Sequence, residues 1–333
     1  MKISGYAALN PKDQLKPIQY ELKKLGPLDV SICVTHCGIC RSDIHLIDND
    51  WGSSVYPLVA GHEVIGTIAE VGSQVSRIKE GDRVGVGWQA GSCTHCEWCL
   101  NSDENLCANS KAVCTGNHGG FGSIVVVDWR FAIPIPKSLR SEGAAPLLCG
   151  GVTVYSPLKR YVTPNMKVGV VGFGGLGHLA VQFADSFGCE VTVFSTSKEK
   201  EKDALSLGTD HFILSQENKA MSSKKSTLDF IISTVSADLD WELYMGFLKN
   251  RGRFCIVGAS PGEIKLQPFT FIGGEKSFCG SVIGSPATIS EMLEFAADHQ
   301  IEARTELVPL AEVNQAIDRV RKNQARYRMV LQH

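Results

Sequence analysis

A short run with the character of a buried strand, residues 168–171, passes directly into Gly172, Gly174, Gly175 and Gly177 and then into a helix expected to begin around Leu176. The spacing G-x-G-x-x-G is a weak signal alone, but set between a strand and a helix it has a physical reading. The first glycine permits the tight turn, the second lets backbone approach a pyrophosphate, and the third allows the helix to pack closely on the sheet. The helix N-terminus then presents N–H groups and the positive end of its dipole to phosphates. The alternative is a glycine-rich packing turn. Against it stands the next strand, residues 190–194, which ends where folds of this kind read the adenosine ribose.

At that strand end an NAD site usually places an acidic residue to accept hydrogen bonds from the ribose 2′-OH. Here the chain has Ser195, Thr196 and Ser197, with Lys198 and Lys200 just beyond. Three hydroxyls and two ammonium groups can donate to a 2′-phosphate, and no carboxylate stands at the strand end to repel it. NADP(H) is therefore the expected cofactor, held by Gly172, Gly174, Gly175, Leu176, Gly177, Ser195, Thr196, Ser197 and Lys200. Glu199 and Glu201 dilute the positive charge, and the competing reading of the serines is a helix cap.

The text around the fingerprint changes character once. From Asp29 to about Trp129 it alternates in short β-rich pieces punctuated by Gly, Asp and Pro. From Asn165 strands alternate with amphipathic helices, the pattern of a doubly wound parallel sheet. After Gly280 come a helical stretch over 288–299, the segment ELVPL and a helix over 311–323, a tail too short for a domain and expected to pack back on the β-rich part. The fold class is thus α/β: a β-rich domain over 1–150 and 284–333, with a Rossmann dinucleotide-binding domain over 151–283 inserted. The active site is expected in the cleft between them.

Composition removes other classes. With 44% hydrophobic and 20% charged residues the chain is neither disordered nor fibrous. Lys plus Arg number 33 against 35 for Asp plus Glu, so there is no basic field to hold nucleic acid or an anionic membrane. Neither a signal peptide nor a membrane span is expected, and the location expected is cytoplasmic.

Twelve cysteines in such a chain point to metal or catalysis before disulfides. Cys93, Cys96, Cys99 and Cys107 are spaced closely enough for one lobe to fold around a single tetrahedral ion. Four thiolates leave no open position, so zinc there would be structural and its binding energy partly folding energy. An iron–sulfur centre is the alternative. A DNA-reading finger fits poorly, because Ser102, Asp103, Glu104 and Asn105 within the loop are acidic or neutral.

The motifs CGICRSD, PLVAGHEVIGTIAEVG, GDRVGVGW, the four-cysteine lobe, GGFGSIVVV, APLLCGGVTVY and GFGGLGHLAVQFA occur in that order. In this set the chain resembles the zinc-dependent medium-chain alcohol dehydrogenases, and within them the cinnamyl alcohol dehydrogenase-like branch, over nearly its whole length. The resemblance implies a GroES-like fold for the β-rich domain and a catalytic zinc on Cys40, His62 and Cys149, with a fourth position for water or substrate. It implies two zinc ions per chain. Asp43 matches the acid that fixes the tautomer of the ligand histidine, and Glu63 a carboxylate close behind the metal that joins its shell during ligand exchange. Ser42 and His45 match a proton path that runs through a hydroxyl, the cofactor ribose and a histidine to solvent. Arg41 departs from the branch, which commonly has His there; it resembles other branches in which an arginine contacts the cofactor pyrophosphate.

The implied activity is reversible hydride transfer between NADP(H) and aromatic or medium-chain aldehydes and primary alcohols, small molecules, by a homodimer. Trp51, Trp88 and residues 268–272 are candidate pocket walls, and 280–284 a candidate edge strand for pairing. The competing readings are a polyol or short-chain alcohol dehydrogenase on the same scaffold, a non-catalytic dinucleotide-binding redox sensor, and a zinc-lobe interaction module. The polyol branch would place an acidic residue at Cys149, and a sensor would have lost one of Cys40, His62 or Cys149. Cys33, Cys37, Cys114, Cys189, Cys255 and Cys279 match no ligand position and are read as packed or free thiols in a reducing compartment.

Overall fold

The strand Asp29–Ile39 is the spine of the β-rich part: its apolar residues Val30, Ile32, Val34 and Ile39 are buried, and neighbours pair along both of its edges. The computed structural model describes residues 2–22, 24–259 and 262–333. On one edge the spine pairs antiparallel with Glu63–Val71; on the other it pairs first with Ile124–Asp128 and then with Arg328–Gln332. Arg83–Val86 and Ile133–Pro134 continue the sheet beyond Glu63–Val71, and Thr305–Pro309 continues it beyond Arg328–Gln332. Val30, Ile32, Val64, Ile68, Val84, Val125 and Val127 from these strands share one core. Each such side chain contributes about 1.5–3 kcal/mol on burial.

Contacts divide the chain into two units, one running up to Val152 and resuming over Ile283–His333, the other Thr153–Val282. The expected boundaries were 150/151 and 283/284. The last strand, Arg328–Gln332, lies in the first unit's sheet beside the spine, with Met329 opposite Ile39. The tail's helices are Pro286–Asp298 and Val313–Arg321, each about two residues off the sequence reading at one end or both. Ser285 caps the former by accepting the Thr288 N–H at 3.2 Å, with Pro286 pre-set for the first turn.

The second unit is a six-stranded sheet in which every neighbouring pair is parallel. Its strand order is His211–Leu214, Glu190–Ser195, Lys167–Val171, Leu228–Ser233, Leu248–Ile256, Ser277–Gly280. The chain therefore starts at the centre, winds out to one side, returns and winds out to the other. The order reverses beside Lys167–Val171, and in doubly wound sheets ligands bind at such a reversal, beyond the carboxyl ends of the strands. Where both faces are covered the strands are mostly apolar, as in Val168, Val170, Val191, Val193, Ile231 and Ile232, with Thr192 buried among them.

One expectation needs correction. The edge strand is Ser277–Gly280, and residues 281–284 belong to no strand. The Ser281 N–H still reaches the Ile256 carbonyl at 3.1 Å, but Ile283 then turns into the left-handed region at φ 33° and leads into the helix capped by Ser285. Among the described residues no helix is long and apolar enough to cross a membrane.

Candidate active site

The antiparallel register that sets Gly38 opposite Glu63 also sets what lies just beyond each strand end side by side. Cys40 follows the spine by one residue and opens the helix Arg41–Asp48; His62 precedes Glu63–Val71 by one. Cys149 arrives from elsewhere in the chain, between the turn Ala145–Leu148 and the helix Gly150–Tyr161. The ligand atoms of Cys40, His62, Glu63 and Cys149 lie within 4.8 Å of one another, and all four residues are buried. His62 Nε2 is 3.3 Å from the Cys149 sulfur.

Asp43 arranges this cradle. Its Oδ2 accepts the Cys40 N–H at 2.8 Å, while Oδ1 accepts the Gly61 N–H at 2.9 Å and His62 Nδ1 at 2.8 Å. With the proton kept on Nδ1, the other imidazole nitrogen is left to bind a metal. Burial opposes a charge on His62, yet Asp43 and Cys149 outweigh it and raise the imidazole well above its ordinary range. A hydrogen bond from Cys149, supported by His62, holds the Cys40 thiol well below its ordinary range, towards the thiolate that ligates metal. Two thiolates and a neutral imidazole cancel the charge of a zinc ion, and the residues present fit one.

Glu63 points at the same space but is engaged from behind. Both of its oxygens accept from Arg328 Nη2, which also donates to the Ile39 carbonyl at 3.2 Å. Burial pushes the Glu63 carboxyl above its ordinary range and the guanidinium pulls it back. Gly38 makes the room: a Cβ there would meet Glu63 Oε2 at 2.0 Å. Arg328 was not anticipated. The only sequence signal is an arginine opening the apolar strand RMVLQ, and its meaning depends on the pairing of Arg328–Gln332 with the spine. Cys114, read as an ordinary thiol, also lies with Asp43 and His62 within 4.8 Å.

Ser42 and His45 stand three residues apart on the helix Arg41–Asp48 and so share a face. His45 Nδ1 is 2.7 Å from Asp50 Oδ2 at the partly exposed end of that helix. Arg41 donates to Asn323 Oδ1 at 2.7 Å and to the Val320 carbonyl at 3.4 Å, a contact with the C-terminal helix that the sequence did not indicate. Trp88 packs edge-on against His62 with ring centroids 4.9 Å apart, and Trp51 lies 6.0 Å from Trp88 and 5.3 Å from His45. These two tryptophans flank the cradle, and Trp88 with Leu148, Phe131 and Ile289 lines an adjoining apolar recess. Residues Pro268–Ile272 form a short helix in the other unit, with Phe269 and Ile272 largely exposed.

The four-cysteine lobe is also drawn together, with the sulfurs of Cys93, Cys96, Cys99 and Cys107 within 4.8 Å of one another. Between them lie only the four-residue helix Glu97–Leu100 and the turn Glu104–Leu106. The His95 and Cys96 N–H groups stabilise the Cys93 thiolate and lower its pKa to about 6. Four sulfurs without an imidazole or an open side suit a closed tetrahedral zinc site.

In the second unit Gly172 ends the strand Lys167–Val171 at φ 90°, a conformation other residues rarely adopt, and donates to the Phe194 carbonyl at 2.8 Å. A Cβ on Gly177 would meet the Gly172 carbonyl at 2.0 Å, so the third glycine of the motif is required by close approach. Leu176 is the N-cap of the helix Gly177–Ser186 and Gly174 and Gly175 form the turn before it. Lys200 donates to the Phe173 carbonyl at 3.0 Å, which places its ammonium beside the glycine turn. Of the three hydroxyl residues, Ser195 is buried and its Oγ accepts the Ser197 N–H at 3.2 Å, whereas Thr196 is exposed and Ser197 half-buried.

Two family models match the chain: the alcohol dehydrogenase GroES-like domain over residues 26–137 and the zinc-binding dehydrogenase over 175–298. The chain is similar to an aldehyde reductase of Synechocystis sp., 43% identical over 332 residues that cover 99% of each protein. It is similar in structure to a cinnamyl alcohol dehydrogenase of Sorghum bicolor, with a TM-score of 0.96 and 41% identity over 100% of this chain and 98% of that one. It is similar also to a CAD of Helicobacter pylori complexed with NADP(H), with a TM-score of 0.92 and 36% identity over 99% and 98% of the two chains.

Proposed function

The chain belongs to the zinc-dependent medium-chain alcohol dehydrogenases, in their cinnamyl alcohol dehydrogenase-like branch, and from that premise we propose that it is an NADP(H)-dependent reductase of aromatic and medium-chain aldehydes, working reversibly on the corresponding primary alcohols. The observation that carries the reading is the buried cradle of Cys40, His62 and Cys149 with Asp43 behind the imidazole. Zinc supplies Lewis acidity towards a carbonyl or alcohol oxygen, and the reduced nicotinamide supplies hydride. Cys40, His62 and Cys149 hold the catalytic ion, and Cys93, Cys96, Cys99 and Cys107 hold a second, structural one. Asp43 keeps His62 in the ligating tautomer. Glu63, tethered by Arg328, is a carboxylate in reserve beside the ligands. Ser42 and His45, the latter paired with Asp50, carry the proton between the site and solvent. Trp51 and Trp88 give the site an aromatic wall that suits flat or extended apolar substrates.

Support for NADP(H) comes from the absence of a carboxylate among Ser195, Thr196 and Ser197, from the Lys200 ammonium beside the glycine turn, and from the NADP(H) held by the Helicobacter pylori relative. Arg41 would add a guanidinium for the pyrophosphate by leaving Asn323. The chain pairs as a homodimer, for which the edge strand Ser277–Gly280 and the exposed Phe269 and Ile272 offer a surface, and it works in the cytoplasm, where its thiols stay reduced.

The test is the initial rate of cofactor oxidation by zinc-loaded protein with aromatic, medium-chain and short-chain aldehydes, NADPH and NADH side by side. NADPH is expected to lead by about tenfold or more, the ratio that one charge-assisted contact worth about 1.4 kcal/mol provides. Cinnamaldehyde and benzaldehyde are expected to outrun acetaldehyde. Folded, zinc-loaded protein that turns over no aldehyde with either cofactor would sink the reading, and faster turnover with a polyol than with any aromatic alcohol would move it to the polyol branch.

A further inference from the structure

Six cysteines take no part in either metal cluster, and two of them face each other. The parallel strands Leu248–Ile256 and Ser277–Gly280 are in register with Cys255 opposite Cys279. Neighbouring strands lie about 4.7–4.9 Å apart, and a disulfide spans Cα separations of about 4.4–6.8 Å. The Cα separation that this pairing sets therefore falls within the range a disulfide spans. The Cys255 thiol donates to the Ile256 carbonyl at 3.9 Å, and each sulfur of the pair acts on the titration of the other. Cys255 is buried in the sheet, while Cys279 is partly exposed on its edge strand.

The surroundings of the pair are asymmetric. Arg253, two residues before Cys255 and so on its face of the sheet, sets its guanidinium 4.0 Å from the centre of the Tyr161 ring. Tyr161 and the positive charge of Arg160 both favour the thiolate of Cys279. The sulfurs thus project from the sheet towards Tyr161, whereas strand pairing at the free edge would use backbone groups. We propose that Cys255 and Cys279 form a reversible dithiol–disulfide pair that reacts with hydroperoxides, Cys279 attacking and Cys255 resolving.

Cys255, together with Arg253, Tyr161 and Arg160, brings the Cys279 thiol down to about 7, and Cys279 and burial push Cys255 far up. The thiol that is lowered is also the more exposed one, Cys279, and the one that is raised is the buried Cys255, the division of roles that stepwise oxidation uses. The Cys279 thiolate attacks the distal oxygen of the hydroperoxide, the O–O bond breaks, and an alkoxide or hydroxide leaves and is protonated by water, giving Cys279 sulfenic acid. The Cys255 sulfur then attacks the sulfenic sulfur, the S–O bond breaks, and the departing hydroxide takes the Cys255 proton as water. In sum two thiols and one hydroperoxide become a disulfide, an alcohol (water, for hydrogen peroxide) and a water.

The experiment treats the zinc-loaded full chain with one equivalent of hydrogen peroxide at neutral pH, blocks the remaining thiols and maps peptides by mass spectrometry. The expected product is a Cys255–Cys279 linked peptide that dithiothreitol separates. Cys255→Ser should stop the reaction at a dimedone-trappable sulfenic acid on Cys279, and Cys279→Ser should leave Cys255 a thiol. The rate of linkage should fall about fivefold between pH 7 and pH 6, as the thiolate fraction of Cys279 falls. Recovery of Cys255 and Cys279 as thiols while cysteines of the metal clusters are oxidised would overturn the proposal, and so would conversion of Cys279 to its sulfinic acid with Cys255 untouched. Mapping of the unmodified protein decides the question even if a serine variant fails to fold.

Discussion

Arg328 is the residue on which the buried charge beside the cradle balances. Glu63 is fully buried and Arg328 is 4% exposed, so neither charge has water to fall back on. Removing one member of such a pair typically costs about 3–5 kcal/mol, because the other is left uncompensated. Arg328→Met is therefore expected to lower unfolding stability by about that amount in urea titrations, and Glu63→Gln in the same chain to restore most of it. The pH dependence has a defined sign. Without the guanidinium the folded-state pKa of Glu63 stands still further above its unfolded value, so the penalty on the ionised folded form is small in acid and grows as pH rises past the unfolded value. A loss below about 1 kcal/mol, or one that shrinks with rising pH, would show that Glu63 does not depend on Arg328 for its charge. Cys40, Asp43, His62, Glu63 and Cys149 could be picked out of the sequence because each lies in a family motif. Arg328 could not, since its partner is 265 positions away and the contact exists only through the pairing of the last strand with the spine.

At the scale of elements, the lobe carrying Cys93, Cys96, Cys99 and Cys107 has little but its sulfurs to hold it. Trp98, Leu100 and Leu106 within it are exposed, and its helix is a single turn, well below the length at which a helix is stable alone. The structural ion proposed there would supply what a core would. Cys99→Ser is expected to drop the zinc content from two ions per chain to one and to lower the melting temperature by roughly 5–10 °C. Aldehyde turnover measured well below that transition should persist, because Cys40, His62 and Cys149 are untouched. Loss of both zinc ions from the variant would mean that the lobe and the cradle fold as one. The glycine turn was readable from its spacing because a tight turn and a close helix approach tolerate nothing larger, and the four cysteines because their short intervals let one stretch of chain bring the sulfurs together. The edge strand was less readable. The strand expected over 280–284 ends at Gly280, and the residues beyond it lead through Ile283 into the Ser285 cap, which is recognised only once the helix start is placed. The Ser195 hydroxyl accepts the Ser197 N–H and keeps its own O–H to donate, a local turn that the residue types did not reveal.

For the whole molecule, the two units differ in what they need to bind. Both candidate metal sites lie in the unit running up to Val152 and resuming at Ile283, which has a core built on Val30, Ile32, Val64 and Val84. The glycine turn, Lys200 and the hydroxyls at Ser195–Ser197 lie in Thr153–Val282, which has a separate core around Phe194, Ile231, Trp241, Phe247 and Phe254. A ligand that binds only the native state raises stability by RT ln(1 + [L]/Kd), about 2.7 kcal/mol at a hundredfold excess over Kd, and does so where its site is built. Zinc chelation should therefore lower a melting transition of the first unit, and NADPH should raise one of the second. Differential scanning calorimetry on zinc-loaded protein, on protein treated with a chelator and on protein saturated with NADPH separates the two effects. Two transitions that respond one to each treatment would assign the metals and the nucleotide to different units by energy as well as by residue. A chelator shift and an NADPH shift of equal size in one common transition would instead mean that the units unfold together, and metal binding would then be coupled to the stability of the nucleotide site.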